Sequence, residues 1–249
     1  MTQTAFTQTM PSGLKDQRVV IFGGTSGIGL AAAIQAKSAG ASVIVIGSNA
    51  ERAQQAAEAH GLAGWRAADV TRSETIYAAL ADIEHVDHLV MLAGTFVAGQ
   101  VMEADIDYLR RAFEERIWAS IHAIRALGSK LSKSGSITFI SGNLADRPNA
   151  YGTAVLAAAS AAMEAMARGM ALELAPVRVN TLSPGPINTP ILSKALGERR
   201  DAFVASLEES LPLHRLGSAE EAGNAVVFLM ANTFMNGAVL NIDGGARLV

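Results

Sequence analysis

Short runs of apolar, largely β-branched residues recur along the chain, and segments of helix-forming composition separate most of them. Such runs are typical of strands buried on both faces of a parallel sheet, because helices cover each face. Their order predicts an α/β fold with a doubly wound, mostly parallel seven-stranded sheet. The seven predicted strands cover residues 19–22, 41–47, 64–68, 88–94, 135–143, 177–183 and 238–242.

The length and composition favour one domain. The chain has 249 residues, and half of them are hydrophobic, which is enough for a large buried core. We expect residues 1–13 to form a flexible tail and residues 14–249 to form the domain. Within it, residues 190–213 are expected to be helical. Long helices are expected over residues 106–131 and after residue 151, and a capping box predicts another that starts after Ser218.

Charge and cysteine content narrow the classes of function. The formal net charge is −3 and no basic cluster is present, so we expect no nucleic-acid partner. No apolar run has the length of a membrane span, and the polar N-terminus lacks the apolar centre of a signal peptide. We therefore expect a cytoplasmic protein without a membrane partner. The absence of cysteine excludes disulfides and thiolate ligands, and no metal site is predicted.

A glycine-rich turn follows the first predicted strand and opens the first predicted helix. Gly23 permits a tight reversal, Gly27 permits close approach of a ligand, and Gly29 permits close packing of the helix on the strand. Free amide groups at the start of that helix favour an anion such as a pyrophosphate. An ordinary strand–turn–helix connection is the alternative. With the strand pattern, the turn indicates a Rossmann-type three-layer sandwich.

The spacing Gly-x-x-x-Gly-x-Gly near the N-terminus resembles that of the short-chain dehydrogenase/reductase family. Asp69-Val70, Ala93-Gly94 and the stretch from Pro184 to Thr189 match later motifs of the family, and the resemblance extends to Gly245. It implies a nicotinamide dinucleotide cofactor and a helical substrate flap over residues 190–213. The residues implied to bind it are Gly23, Thr25, Ser26, Gly27, Ile28, Gly29, Ser48, Asn49, Arg52, Asp69, Val70, Ala93, Gly94, Thr95, Ser141, Pro184, Gly185, Ile187 and Thr189.

The end of the second strand predicts which dinucleotide is used. A carboxylate there would bind the ribose 2′-hydroxyl of NAD and repel the 2′-phosphate of NADP. The sequence instead continues Gly47-Ser48-Asn49, with Arg52 shortly after. NADP is therefore favoured over NAD. Asp69, assigned by the resemblance to the adenine, could alternatively cap a helix that begins near Thr71.

The catalytic pair of the family is missing. The family uses Tyr-x-x-x-Lys, because a tyrosine of pKa near ~10 needs a nearby cation to exchange protons near neutrality. Tyr151 is followed four residues later by Val155, and aligning the downstream helix instead puts Leu156 and Ser160 at the two positions. Neither alignment contains the lysine, and no lysine occurs between residues 133 and 194.

Other polar residues must then supply the proton. Ser141, Asn143 and Tyr151 are the predicted catalytic candidates, although Tyr151 could equally be a solvent-exposed loop residue. Arg147 could provide a cation. At the family position of a relay asparagine stands Arg116, which could instead be a salt-bridging helix residue. Two histidines are further conceivable donors: His122 and His214.

Three functions are compatible with this pattern. The first is an NADP-dependent oxidoreductase that transfers a hydride between nicotinamide and a small carbonyl or alcohol substrate, with a non-standard proton donor. The second is a non-catalytic dinucleotide-binding sensor or scaffold subunit. The third is another reaction on the same fold, such as epimerisation or elimination. The resemblance also implies a homodimer or homotetramer.

Overall fold

The computed structural model describes residues 13–192 and 197–249. A seven-stranded sheet forms its centre, and every pairing in it is parallel. The predicted fold class is confirmed. Its strands are β1 Arg18–Phe22, β2 Ser42–Gly47, β3 Gly64–Ala67, β4 Val86–Met91, β5 Leu131–Ile140, β6 Arg178–Pro184 and β9 Val239–Ile242; the short strands β7 Ile187–Asn188 and β8 Gly217–Ser218 pair separately. Across the large sheet the order is β3-β2-β1-β4-β5-β6-β9.

Eight α-helices accompany the strands within the described residues. They are α1 Gly27–Ser38, α2 Ala50–His60, α3 Ser73–Leu80, α4 Ile106–Phe113, α5 Ala119–Leu127, α6 Ala154–Glu173, α7 Arg200–Ser210 and α8 Ala219–Ala231. The predicted capping box of α8 is present, because Ser218 and Glu221 exchange side-chain to backbone hydrogen bonds.

The helix predicted over residues 106–131 is two helices joined by a π-helical turn, Glu114–Trp118. It ends early because Gly128 adopts a φ of +50° after α5, which leads into a short 3₁₀ turn. β5 consequently begins at Leu131, four residues before the predicted start.

The sheet separates two hydrophobic layers, and β1 contributes to both. Val20 and Phe22 pack into one layer, whereas Val19 and Ile21 pack into the other, as the two-residue period of a strand requires. All four side chains are fully buried. Phe22, the last residue of β1, is therefore part of the core.

Helix α6 has the length and apolar composition of a membrane-spanning helix, and it is the one helix in the described ranges that meets this test. It packs against β6 and buries Met163, Ala167 and Ala171, as a core helix of a folded domain does.

Two predicted segments fall partly outside the described residues. Of the predicted tail, residues 1–12 lie outside them. Residues 193–196 of the predicted flap also lie outside the described residues, and the described part of the flap contains α7.

Candidate functional site

A cavity of about 630 Å³ opens at the carboxyl ends of the central strands. β1, β4, β5 and β6 all end at it. Between β1 and β4 the strand order changes direction, since the chain runs outward from β1 through β2 to β3 and then returns to β4. Such a switch point leaves a crevice between neighbouring loops, where doubly wound proteins bind their ligands.

The glycine-rich turn has the geometry that its sequence predicts. Gly23 has a φ of +78°, and a Cβ there would lie 2.8 Å from the backbone nitrogen of Ala93. A Cβ on Gly29 would lie 2.2 Å from the carbonyl oxygen of Gly23. Ser26 precedes α1 without capping it through its side chain. The turn therefore offers amides and a hydroxyl to the cavity, and this cradle fits a diphosphate.

One end of the cavity carries the residues predicted to contact the adenosine part of the cofactor. Ser48, Arg52, Asp69 and Val70 all line it. Asn49 does not, because its Oδ1 accepts a hydrogen bond from the Arg52 backbone nitrogen and caps α2. The Arg52 guanidinium has no hydrogen-bond or ion-pair partner among residues 13–192 and 197–249.

Asp69 closes a turn before α3 and is not the N-cap of that helix. Its Oδ1 accepts hydrogen bonds from the backbone nitrogen and the hydroxyl of Thr71, at 3.0 and 2.8 Å, whereas α3 begins at Ser73. The backbone hydrogen bond from Thr71 is the main cause that lowers the pKa of Asp69. The carboxylate is therefore ionised and fixed at the rim of the cavity.

A second acidic group, Glu115, holds the loop after β4. Its Oε2 accepts hydrogen bonds from the Thr95 backbone nitrogen at 2.5 Å and from the Thr95 hydroxyl at 2.8 Å. Its Oε1 accepts two from Arg111, at 2.9 and 2.7 Å. Both polar hydrogens of Thr95 are thus engaged by the protein, so Thr95, although predicted to bind the cofactor, contributes shape rather than a free donor.

Arg116 holds the same loop from the other side. It donates to the Thr95 carbonyl oxygen at 3.0 Å, and its guanidinium would lie 3.2 Å from a Cβ on Gly94. It forms no ion pair in the described part of the chain, so the salt-bridging alternative is not what the structure has. Burial lowers the pKa of Arg116, but an arginine remains protonated.

The other end of the cavity lies beside the loops after β5 and β6. Ser141 and Asn143 line it, together with Gly142 and Arg147. Tyr151 does not line it, and that side chain is 79% exposed. The remaining predicted cofactor residues on the cavity wall are Gly23, Thr25, Ser26, Gly27, Ile28, Gly29, Ala93, Gly94, Thr95, Pro184, Gly185, Ile187 and Thr189.

Neither histidine candidate lines the cavity. The ring of His122 packs edge-to-face against Tyr77 at a centroid distance of 6.0 Å. His214 directs its Nδ1 at the carbonyl oxygen of Glu208.

Leu156 and Ser160, the two α6 residues that stand in one alignment where the family has its Tyr and Lys, both line the cavity. The hydroxyl of Ser141 lies 3.1 Å from the Ser160 carbonyl oxygen and donates to Glu164 Oε1 at 2.7 Å. Beyond these polar groups the wall is apolar, formed by Phe96, Leu144, Ile191, Leu192, Phe203 and Leu207.

Sequence reasoning missed three charged residues of this site: Arg111, Glu115 and Glu164. The i,i+4 spacing of Arg111 and Glu115 signalled a helical ion pair, which forms. Nothing in the sequence indicated that a π-helical turn would direct this pair at the loop after β4. Glu164 stands within an alanine-rich run, where a lone acidic residue gave no signal of a cavity.

A wholly parallel, doubly wound sheet with a glycine-rich turn at its switch point defines a dinucleotide-binding protein of the Rossmann class. The family model described as enoyl-(acyl carrier protein) reductase matches residues 23–247. A short-chain dehydrogenase/reductase, ATR9, of Stachybotrys chlorohalonatus is 34% identical over 96% of this chain and 100% of its own length.

Two further comparisons agree with this one. The peroxisomal 2,4-dienoyl-CoA reductase of Danio rerio is 34% identical over 96% of this chain and 84% of its own length. A small-chain dehydrogenase solved in complex with NADPH is 32% identical, covers 94% of this chain and 100% of its own, and has a TM-score of 0.81. The chain belongs to the short-chain dehydrogenase/reductase family of nicotinamide-dependent oxidoreductases.

Proposed function

We propose that the protein is an NADP-dependent oxidoreductase that interconverts a small carbonyl compound and its alcohol. The observation that carries this proposal is that one and the same cavity is lined by the glycine cradle after β1 and by the polar side chains of Ser141 and Asn143. The apolar wall beyond them favours a substrate with a hydrophobic body.

The choice of NADP rests on the adenosine end of the cavity. Ser48 and Arg52 line it, and no carboxylate occupies the end of β2. A guanidinium that has no partner among the described residues suits a phosphate, and a missing acid removes the group that would select NAD. The structural relative solved with NADPH supports the same choice.

The cofactor, when bound, supplies or accepts the hydride. The protein contributes binding through the amides of the Gly23–Gly29 turn, and orientation through the loops after β4 and β6. The apolar wall excludes water from the substrate. Ser141 and Asn143 are the polar side chains placed to contact a substrate oxygen. Of these two, only Ser141 carries a hydroxyl that can pass on a proton.

The cofactor assignment is tested by comparing two arginine variants. Arg52→Gln should lower the affinities for NADPH and 2′,5′-ADP about 10-fold or more and leave the affinity for NADH unchanged, because only the 2′-phosphate loses its partner. Arg125→Gln is the matched control, since Arg125 is exposed on α5 and lies away from the cavity. Equal losses of affinity for NADPH and NADH, measured by calorimetry, would contradict the role of Arg52 as the partner of the 2′-phosphate.

A non-catalytic dinucleotide-binding protein is the second candidate, and the missing lysine favours it. Incubation with NADPH and a panel of apolar aldehydes and ketones separates the two. Turnover of any member, followed as loss of NADPH absorbance, supports the oxidoreductase. Micromolar NADPH binding without turnover of any member supports the sensor or scaffold.

We also propose that the chain associates with copies of itself as a dimer or tetramer. Large apolar side chains stand on its surface, among them Trp118 at 50% exposure, Leu172 at 83% and Phe234 at 98%. Removing large exposed apolar side chains from water is favourable, so an interface between copies would gain free energy by burying them. Light scattering of the purified protein measures the assembly, and a monomer mass at micromolar concentration would contradict it.

A further inference from the structure

Ser141 connects the cavity to a carboxylate behind it. The serine is at the carboxyl end of β5 and is 9% exposed. Its hydroxyl donates a 2.7 Å hydrogen bond to Glu164 Oε1. With its proton engaged on the α6 side, Ser141 has only lone pairs to offer to a molecule in the cavity. Ser141 is therefore arranged to accept a proton from the cavity as it passes its own proton to Glu164.

Glu164 has no other role in the described structure. It is partly buried on α6, at the i+4 position from Ser160 and the i+8 position from Leu156, so the three residues share one helix face. Within the described ranges, Ser141 is its one hydrogen-bond partner and it forms no ion pair. A partly buried carboxylate with a single, short contact to a cavity residue needs an explanation.

No charged group on the elements packed against α6 forms an ion pair with Glu164 among the described residues; Glu114 and Lys133 are exposed, and the others have partners of their own. On α4, Asp107 pairs with Arg110, and Arg111 pairs with Glu115 of the π-helical turn. Arg116 donates to backbone carbonyls, and Arg178 on β6 donates to carbonyls of α8. On α6 itself, Arg168 lies one turn beyond Glu164. The contact with Ser141 is therefore not a side product of an ion-pair network.

We propose that Glu164 exchanges the reaction proton with the substrate through Ser141, a role that rests on the proposed oxidoreductase function. In alcohol oxidation, the substrate hydroxyl proton moves to Ser141 Oγ, and the Ser141 proton moves to Glu164 Oε1. The hydride from the same substrate carbon reduces the oxidised nicotinamide dinucleotide. In carbonyl reduction both protons move in the opposite direction, and Glu164 then regains a proton from solvent.

Ser141 is a catalytic residue in this scheme, and Glu164 is a positioning residue that acts through it. Glu164→Gln preserves the size and an acceptor oxygen but removes the acid–base function. We expect it to lower the single-turnover rate about 100-fold, the loss typical of a missing acid or base. Its NADPH dissociation constant should stay within about twofold of the wild-type value, because Glu164 does not line the cavity.

The number of protons that move in the rate-limiting step gives a readout that a structural role would not change. In mixtures of light and heavy water the wild type should give a curved proton inventory, because two protons move together. Glu164→Gln should give a slower, linear one. Glu173→Gln is the control, since it neutralises an exposed carboxylate on the last turn of the same helix. It should match the wild type in both respects.

The outcomes distinguish the relay through Ser141 and Glu164 from the proposed oxidoreductase function on which it rests. A slow Glu164→Gln variant with intact NADPH binding and a linear inventory supports the relay. Wild-type turnover with equal rates in Glu164→Gln and Glu173→Gln overturns the relay and leaves the oxidoreductase assignment standing. A wild type that binds NADPH but turns over no carbonyl compound overturns both. Circular dichroism and a thermal melt of each variant identify any loss of rate that is due to unfolding.

Discussion

At the scale of single residues, the cavity depends on a few glycines that stand against backbone. Gly23 faces the loop after β4, and Gly29 faces Gly23 itself. Backbone cannot move aside as the end of a flexible side chain can, so these contacts fix the residue type. Glycine at these positions places no side chain over the amides at the start of α1, which is what an anion requires.

Gly29→Asp should abolish cofactor binding. Its Cβ would lie 2.2 Å from the Gly23 carbonyl oxygen, and its carboxylate would repel a diphosphate at the start of α1. We expect the NADPH affinity measured by calorimetry to fall by at least about 100-fold. Gly29→Ala separates the two causes, because it keeps the collision and removes the charge.

Gly169→Ala is the control for glycine replacement as such. Gly169 lies within α6, and a Cβ there meets nothing within 4 Å. This variant should bind NADPH as the wild type does and should gain up to about 1 kcal/mol of stability from the better helix propensity of alanine. An unchanged NADPH affinity of the Gly29→Asp variant would contradict the assignment of the glycine-rich turn as the diphosphate site.

At the scale of elements, the π-helical turn between α4 and α5 shapes the loop after β4. Its extra residue per turn presents Glu115 and Arg116 to the same stretch of backbone. Glu115 accepts from the nitrogen and hydroxyl of Thr95, and Arg116 donates to the Thr95 carbonyl oxygen. Opposite charges thus hold all three polar groups of one cavity residue.

Glu115→Gln should therefore loosen this loop. An amide brings two hydrogens to a position where Thr95 and Arg111 already supply donors, so one buried donor loses its partner. We expect a loss of about 2 kcal/mol in the free energy of unfolding, measured with urea. Weaker NADPH binding should accompany it.

Glu114→Gln is the matched control on the same turn, because Glu114 is exposed. It should change the free energy of unfolding by less than about 0.5 kcal/mol. Equal stability of the two variants would mean that the contacts of Glu115 with Thr95 do not stabilise the fold.

Elements that a short-range pattern encodes could be predicted from the sequence. The seven strands follow from apolar runs, and the start of α8 follows from Ser218 and Glu221. The π-helical turn could not be predicted, because its composition differs little from that of an α-helix. The late predicted start of β5 has another cause: residues 131–134 are not an apolar run, and Leu131 joins the sheet only through its pairing with Val86, ahead of a shift in register.

In the candidate site, too, the residues that belong to local motifs could be predicted and those placed by long-range packing could not. The glycine turn, Ser141 and Asn143 lie on the cavity wall where local motifs place them. Tyr151 and Asn49 do not, because one side chain faces solvent and the other caps α2. The partner of Ser141 lies 23 residues further along the chain, and such a contact depends on how α6 packs beside β5, which no local pattern records.

At the scale of the whole molecule, the two ends of the central strands differ. The cavity lies at their carboxyl ends, whereas a buried polar cluster lies away from the cavity, on β4 and β5. His88 is 2% exposed and lies between Gln17 and Ser136. Its Nε2 donates to Gln17 Oε1 at 2.7 Å, so its Nδ1 accepts from the Ser136 hydroxyl at 2.8 Å. The contact with Ser136 in this direction requires a neutral ring, because a protonated Nδ1 cannot accept.

This arrangement predicts that the fold loses stability in mild acid. Burial lowers the pKa of His88 to about 4, and the charge of Arg178 acts in the same direction. An unfolded histidine has a pKa near ~6.5. Between these values the unfolded chain binds a proton that the folded chain excludes, so stability is full above pH ~6.5 and falls as the pH decreases toward ~4. The full loss from this one group is about 3 kcal/mol.

Urea unfolding at a series of pH values between about 7.5 and 4.5 tests this prediction, with His88→Gln as the decisive variant. Glutamine keeps a donor and an acceptor but does not titrate, so its free energy of unfolding should vary less with pH over this range than that of the wild type. His60→Gln is the control, because His60 is an exposed residue at the end of α2; it should keep the wild-type slope. Carboxylates titrate mostly below this range, so a slope that persists unchanged in His88→Gln would have to come from another group and would contradict the role given to His88.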